Sequence, residues 1–393
     1  MKTYLTAFSV VVLLLLGSCK APVPTISKSY ENALKEEPQV EVPEVYEAMQ
    51  IALSLTDTYQ SDPNLINKST PYYQEMVSHF GMHKTHPLVL KLDRKLKKAG
   101  AYGQVNTLTS LQSLNYKLED GKLLKKSRYR IPFIYNVAPY PLFLLHSNRR
   151  LFNSFVQETG FEEFYSQHGS HYASLIARSH ELCDYAGMKQ WLEREFPKVQ
   201  NQALLVVFSP LTGGSHSQRD YLSKDGQKKQ MVMFVSAPNF EEGVWKDLSE
   251  QEKSAYATRI IFTEIDHSYV NPTTDIYLEQ IEAAMQELGS WKTEKVIGGY
   301  NSFPLTFNEY MTWGVYTLYA YDTYPADVFE RVIERQVEIM ASKRGFIRFR
   351  EFNEELLRLY KHRKKGERVA DLYPQIIEWM KSTMQAAQNS VPQ

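Results

Sequence analysis

Apolar positions along the chain fall into successive helical and strand-like patterns. From Pro43 onward Val45, Ala48, Met49 and Ala52 recur at helical spacing, which predicts a helix beginning there. Helical patterns follow near 71–82 and 87–99. Tyr116-Lys-Leu-Glu-Asp-Gly-Lys-Leu-Leu alternates around Asp120-Gly121 and predicts a hairpin. From about 145 to 197 the pattern is mainly helical again.

The character then changes. Leu204-Leu-Val-Val-Phe208 is a continuous apolar run closed by Ser209-Pro210, with Gly213-Gly214 beyond it. Met231-Val-Met-Phe-Val235 is a second such run, stopped by Pro238. Both read as buried strands. Ser249-Glu-Gln-Glu252 has the form of a capping box and starts a long helix expected to reach about Val270. Asn271-Pro272 most simply ends it. Helical patterns continue near 274–288, 305–322, 326–341, 350–364 and 369–387, with no internal repeat. The expected fold is α+β and mainly helical, with a small sheet packed beside the long helix. A mainly helical region over 43–200 and a sheet-containing region over 201–393 are expected to pack as one compact unit.

The first residues follow a different logic. Lys2 precedes a mostly apolar stretch from Leu5 to Leu16. At about a dozen residues it is short of the roughly 20 needed to span a bilayer, and it reads as a secretory signal. Leu16-Gly17-Ser18-Cys19 resembles the lipobox of bacterial lipoproteins, in which the cysteine is acylated and becomes the mature N-terminus. A plain signal with an incidental cysteine is the alternative. The resemblance implies a signal peptide over 1–18, lipid on Cys19 and a tether over 19–42, where prolines and charges lie without apolar periodicity. Acyl chains contribute about 0.8 kcal/mol per buried CH2, so the mature protein is expected to be membrane-tethered rather than inserted. Lys20 follows the cysteine with no acidic run behind it, which makes the periplasmic face of the outer membrane the expected address. No later apolar stretch is long enough to cross a bilayer.

Lys+Arg and Asp+Glu both number 45, so there is no electrostatic case for nucleic acid. There are 2 cysteines. With Cys19 lipidated, Cys183 stands alone, reads as a core residue, and leaves no intramolecular disulfide. Neither a phosphate-binding Gly-rich loop nor a Gly-x-Ser-x-Gly elbow is present. Nothing in the pattern specifies an oligomeric state.

The chemistry concentrates in Ile260-Ile-Phe-Thr-Glu-Ile-Asp-His-Ser-Tyr-Val-Asn-Pro272. Glu264 and His267 are three apart and share a helical face, whereas Asp266 falls on another. The bland reading is a satisfied core pair that ties helices together. The order of strand, Gly-rich exit, second strand and helix is also that of zinc peptidases carrying His-Glu-x-x-His, in which two histidines bind the metal and the Glu is general base. Thr263 stands where the first of those histidines belongs.

The segment is similar to an uncharacterised family of bacterial exported, zincin-like proteins with a Phe-x-Glu-x-x-His-Ser-(Phe/Tyr)-Val-Asn-Pro helix. Phe262, Glu264, His267, Ser268, Tyr269, Val270, Asn271 and Pro272 carry the resemblance. Phe80, His86-Pro87, Asn308-Glu309 and Gly345-Phe346 match more loosely. The resemblance implies a gluzincin-like scaffold, a zinc cofactor, Glu264 as base, His267 as ligand and Glu309 as candidate third ligand.

Thr263 is a poor zinc ligand, and three outcomes stay open. The chain is a metal-free relic whose groove binds a peptide or protein partner. Or it recruits another histidine, His216 or the His168/His171 pair. Or Glu264 is itself a ligand, a pattern that requires a second Glu-x-x-His not present here. A membrane-anchored zinc-dependent peptidase and a non-catalytic peptide-binding lipoprotein are therefore the two main expectations. A purely structural lipoprotein is the third. Gly213-Gly214 either lets an extended peptide approach the strand edge or makes a plain turn.

Overall fold

Apolar residues at consecutive strand positions need cover on both sides, and the sheet provides it. The computed structural model describes residues 24–99, 109–132, 143–199, 203–239, 245–294, 296 and 300–389. The expected signal segment and Cys19 lie outside them. Eight strands are present among the described residues: β1 (Thr25–Ile26), β2 (Gln39–Glu41), β3 (Tyr116–Glu119), β4 (Lys122–Lys125), β5 (Tyr129–Arg130), β6 (Ala203–Ser209), β7 (Ser217–Leu222) and β8 (Lys229–Ser236). Six form one mixed sheet in the order β2-β6-β8-β7-β1-β5, while β3 and β4 form the expected hairpin.

β6 and β8 lie at the centre and pair in parallel from Ala203 opposite Gln230 to Ser209 opposite Ser236. Their alternate residues enter two cores. Leu204, Val206, Phe208, Met231, Met233 and Val235 join the large core under the helices. Leu205, Val207, Val232 and Phe234 join a smaller one on the opposite face with Tyr46, Tyr129 and Tyr221. A strand covered on both faces reads as an unbroken apolar run, which is why these two were visible.

β7 was not visible. Its Ser-Gln-Arg-Asp-Tyr-Leu buries only Tyr221, yet it pairs antiparallel with β8 along all six residues. The tether expected over 19–42 is also corrected. From Thr25 onward that stretch contributes β1, which meets β5 and touches β7 at Leu222, and β2, which pairs in parallel with β6. Strands of two or three residues carry no readable period; the unfilled edges of their neighbours place them.

The longer helices are α1 (Glu44–Ser54), α2 (Pro71–Phe80), α3 (Pro87–Ala99), α4 (Arg149–Thr159), α5 (Phe161–Gln167), α6 (Gly169–Leu182), α7 (Tyr185–Glu195), α8 (Glu250–Ile265), α9 (His267–Thr274), α10 (Leu278–Met285), α11 (Phe303–Thr323), α12 (Ala326–Glu338), α13 (Phe349–Lys361) and α14 (Tyr373–Asn389). The fold is α+β and mainly helical. The large core runs from Val42 to Met384 and draws on both halves of the chain. No described helix is long and apolar enough to cross a membrane.

α8 starts at the capping box, with the Ser249 and Glu252 side chains each satisfying the other's backbone N–H. It packs on β8 and β7 on one side and on α6, α11 and α12 on the other. The long helix is not continuous, because it breaks at Asp266 and resumes as α9. Pro272 does not end it but sits inside α9. It falls in the second half of that helix, and its missing amide donor leaves the Ser268 carbonyl without its usual helical partner. α12 runs directly into a π-helical turn, Ile339–Arg344, closed by Gly345 at φ 88°. Such a turn re-aims the side chains that follow it.

The Gly-rich exit of β6 serves the chain itself. Thr212 bridges to Ile66, the Gly213 amide donates to the Leu65 carbonyl at 3.3 Å, and the Ser215 amide to the Asn64 carbonyl at 2.8 Å. A Cβ on Gly213 would lie 2.7 Å from the Asn64 carbonyl oxygen and 2.9 Å from the Ile66 nitrogen. Both are backbone atoms that cannot turn aside. Gly213→Ala is therefore expected to lower the stability of the whole fold by about 1–3 kcal/mol, the usual cost of overpacking. Urea unfolding checks this, and an unchanged midpoint would show that the 64–66 segment yields freely.

Candidate functional site

The last turns of α8 and the start of α9 set three side chains in a row. Thr263 is buried, and its hydroxyl donates back to the Arg259 carbonyl at 2.9 Å. That back-bond ties the hydroxyl to its own helix. Glu264 is half-buried one residue on. Its carboxyl is pushed up to about 7 by desolvation, with the His267 imidazole and Arg344 drawing it down and Glu309 pushing it further up. His267 Nδ1 lies 3.3 Å from Asn271 Oδ1. With a carbonyl oxygen as its partner, Nδ1 is the donor.

Glu309 comes from the middle of α11 and is 3% exposed. Burial would raise its pKa, yet the Arg344 guanidinium, the His267 imidazole and Tyr300 together hold it below the ordinary range. Arg344 Nη1 donates to Glu309 Oε1 at 2.5 Å, and Trp313 Nε1 donates to the same oxygen at 3.0 Å. Arg344 Nη2 reaches the Tyr300 hydroxyl at 3.3 Å. The π-helical turn after α12 delivers Arg344 to this point.

The three residues singled out in the sequence are therefore electrostatic neighbours. They do not form a zinc site. Among the described residues no three His, Cys, Asp or Glu side chains stand where they could hold a metal ion together. Thr263 is bonded to its own helix, and Glu309 is committed to a guanidinium. Zinc sites ordinarily offer three protein donors and a water, and this donor set does not fit that requirement.

The substitute histidines are engaged elsewhere. His216 Nε2 bonds the Ser236 hydroxyl at 3.1 Å, and the ring is pushed down to about 4 by burial and by the Arg259 charge. His168 bonds the Phe164 carbonyl and Glu75, while His171 stacks on Tyr72. Asp266 is wholly buried, and neither side-chain oxygen has a hydrogen-bond partner. Burial, with Glu264 and Glu309 nearby, drives its pKa well above the ordinary value.

Sequence reasoning missed the basic half of the cluster. Arg259 is 8% exposed, and its Nε and Nη1 have no hydrogen-bond partner. Its guanidinium lies 5.2 Å from the Trp313 ring centroid and 5.8 Å from that of Tyr256. The charged groups that it feels, Arg335 and Arg344, are both cations, and its pKa is lowered chiefly by burial. Two cation–π contacts supply about 0.5–2 kcal/mol each, against a desolvation cost of several kcal/mol for a buried ion. The aromatic rings do not close that gap. A cation inside an otherwise buried helix was the available signal.

β7 borders the cluster. Gln218 Nε2 donates to the Ser268 hydroxyl at 2.5 Å, and Ser268 donates to Asp220 at 2.7 Å. Lys229 pairs with Asp220 at 2.7 Å. On its outer side β7 meets β1, with Leu222 opposite Thr25.

Fold and site together define a mainly helical α+β protein with a buried Glu–His–Arg cluster at the end of a core helix, beside β7. The chain belongs to the family of the domain of unknown function DUF4932, which matches residues 137–379. That span contains β6 to β8, Arg259, Glu264, His267, Glu309 and Arg344. No curated protein and no solved structure shows a significant match to the chain.

The raised Glu264 carboxyl makes stability fall with rising pH. Between its ordinary value of 4.5 and about 7 the folded chain keeps a proton that the unfolded chain has released. The slope there approaches about 1.4 kcal/mol per pH unit and vanishes above pH 7. Glu47, also pushed up to about 7 by burial, adds a parallel slope. Glu264→Gln should remove its share and leave that of Glu47. Urea midpoints measured from pH 4.5 to 8 decide this, and equal slopes in both proteins would refute the assignment.

Proposed function

We propose that this chain is a lipid-anchored protein of the bacterial cell envelope that binds a peptide or protein partner over a peptidase-like cluster that does not cleave it. The observation that carries the reading is the Arg344–Glu309 ion pair. A carboxylate neutralised by a guanidinium is a weak metal ligand, and the Thr263 hydroxyl is turned onto its own helix. A zinc-dependent peptidase would need both positions.

Buried polar groups without hydrogen-bond partners beside the cluster support a binding role: two donors of Arg259 and both side-chain oxygens of Asp266. Gln218 and Asp220 link β7 directly to α9 through Ser268. The lipobox-like Leu16-Gly17-Ser18-Cys19 supports anchoring through acylated Cys19, with the outer membrane facing the periplasm as the proposed site. One observation favours a hydrolytic reading: a carboxyl at about 7 beside an imidazole has the pKa of a general base.

Metal analysis of the purified full chain separates the two. Well under one zinc per chain, with a melting temperature unmoved by chelator, is expected. Near-stoichiometric zinc that is lost in His267→Ala, together with peptide hydrolysis lost in Glu264→Gln, would establish the enzyme instead. Cys19→Ser should release the chain from membranes or block its processing, and a normally sized, membrane-bound Cys19→Ser form would refute the anchor.

A further inference from the structure

Positive charge is concentrated in one stretch of the chain. Residues 84–150 carry 14 Lys and Arg against 3 Asp and Glu, although the whole chain holds 45 of each. Much of that surplus lies on two neighbouring elements. Leu90, Lys91, Arg94, Lys97 and Lys98 fall on one side of α3, while Leu88, Val89, Leu92 and Leu96 are buried on the other. Asp57 and Asp93 hold Lys97, but among the described residues no carboxylate pairs with Lys91, Arg94 or Lys98. In the β3–β4 hairpin Leu118 and Leu123 are buried opposite each other, so Lys117, Glu119, Lys122 and Leu124 share the outward face. Lys117 pairs with Glu119, whereas Lys122, Lys125 and Lys126 stand exposed.

The helix and the hairpin belong to one surface. The Leu123 amide donates to Asn153 of α4, and Gln157 donates to the Gly121 carbonyl. His86, just before α3, meets Ser154 and the Glu158 carboxylate. These contacts alternate along α4, 153 with 154 and 157 with 158, so the hairpin and α3 flank a single strip of that helix. Its first turn adds the exposed Arg149 and Arg150.

Two observations favour lipid over a soluble polyanion. Each wall sets an exposed leucine among its cations: Leu90 on α3 at 48% and Leu124 on β4 at 38%. Such a mixture suits the headgroup boundary, where lysines meet phosphates and an apolar side chain leaves water. The other observation is position. The hairpin leads within a few residues into β5, where Arg130 lies opposite Thr25 of β1, the described strand nearest Cys19 in sequence.

We propose that the face formed by α3, the β3–β4 hairpin and the start of α4 lies on anionic phospholipid headgroups and sets how the body sits against the membrane. The choice of lipid rests on the anchor reading above, whereas the segregation of charge does not. Salt screens such a contact beyond about 8 Å at physiological ionic strength, so it orients a chain that acyl groups hold.

The test uses the chain from residue 19 onward with Cys19→Ser, which keeps every described residue and carries no lipid. It is sedimented at low salt with vesicles of phosphatidylcholine, alone or with one-third phosphatidylglycerol. Binding at least about tenfold stronger to the anionic vesicles is expected, and it should vanish at about 0.5 M salt. Lys91→Glu, Arg94→Glu and Lys98→Glu together should lower that affinity at least about tenfold. Lys364→Glu, Lys365→Glu and Lys381→Glu, the same change in net charge beside and on the last two helices, should lower it far less. If the α3 variant does not fold, Lys122→Glu with Lys126→Glu carries the same test from the hairpin. Equal binding to both kinds of vesicle, or equal losses from the two sets of reversals, overturns the proposal. Retention on heparin without vesicle binding would make the partner a soluble polyanion and also overturns it. The anchor is read separately, from the mass of the mature N-terminus. A Cys19→Ser chain held only by this face washes off membranes at about 0.5 M salt, whereas an acylated chain stays.

Discussion

A carboxylate taken out of water at the centre of a helical core needs a counter-charge, and much of the architecture around Glu309 serves that need. Arg344 provides it, and Arg344 is in place because α12 ends in a π-helical turn rather than a regular one. Trp313, one turn beyond Glu309 on α11, bonds the same carboxylate oxygen and offers its ring to two guanidiniums. Tyr300 completes the shell through Arg344. Removing either ionic partner would strand the other in a poorly solvated place. The geometry of α11, α12 and the turn after it is thereby coupled to the electrostatics of Glu264 and His267 on the facing helix.

That facing helix is positioned by the sheet. β6 and β8 are covered on both faces, so α8 cannot shift relative to them without opening the large core. The Gly213 seam locks the exit of β6 to residues 64–66. Rigid scaffold and partly unsatisfied polar groups are thus separated in space: the former lies in the sheet centre, the latter at the junction of α8 and α9. Asp266 stands in that junction and Arg259 about two turns before it on α8, both deeply buried and incompletely partnered.

Most of the fold was legible because it is written locally. The hairpin at Asp120-Gly121 follows from two residues that accept positive φ, here 51° and 68°. The capping box marked the start of α8, and helical periodicity located nearly every long helix. Pairings between distant short segments were not legible, which is why β1, β2 and β7 went unseen. The same division holds at the site. Glu264 and His267 announced themselves by spacing on one helix, and Glu309 by family likeness. Arg344 lies about eighty residues from Glu264 and reaches the cluster only through a change of helical pitch that side-chain periodicity does not encode. Spacing and likeness brought Glu264, His267 and Glu309 together but could not reveal the guanidinium bound to Glu309.

The early strands carry a mechanical consequence. β1 begins at Thr25, so if the proposed lipid sits on Cys19 the chain between them would reach no more than about 20 Å. The leash would be short. A body held this way would ride close to the bilayer, with the β7–β1–β5 side of its sheet nearest the headgroups. Partners at the membrane surface would then be within reach, and those deep in the aqueous space would not.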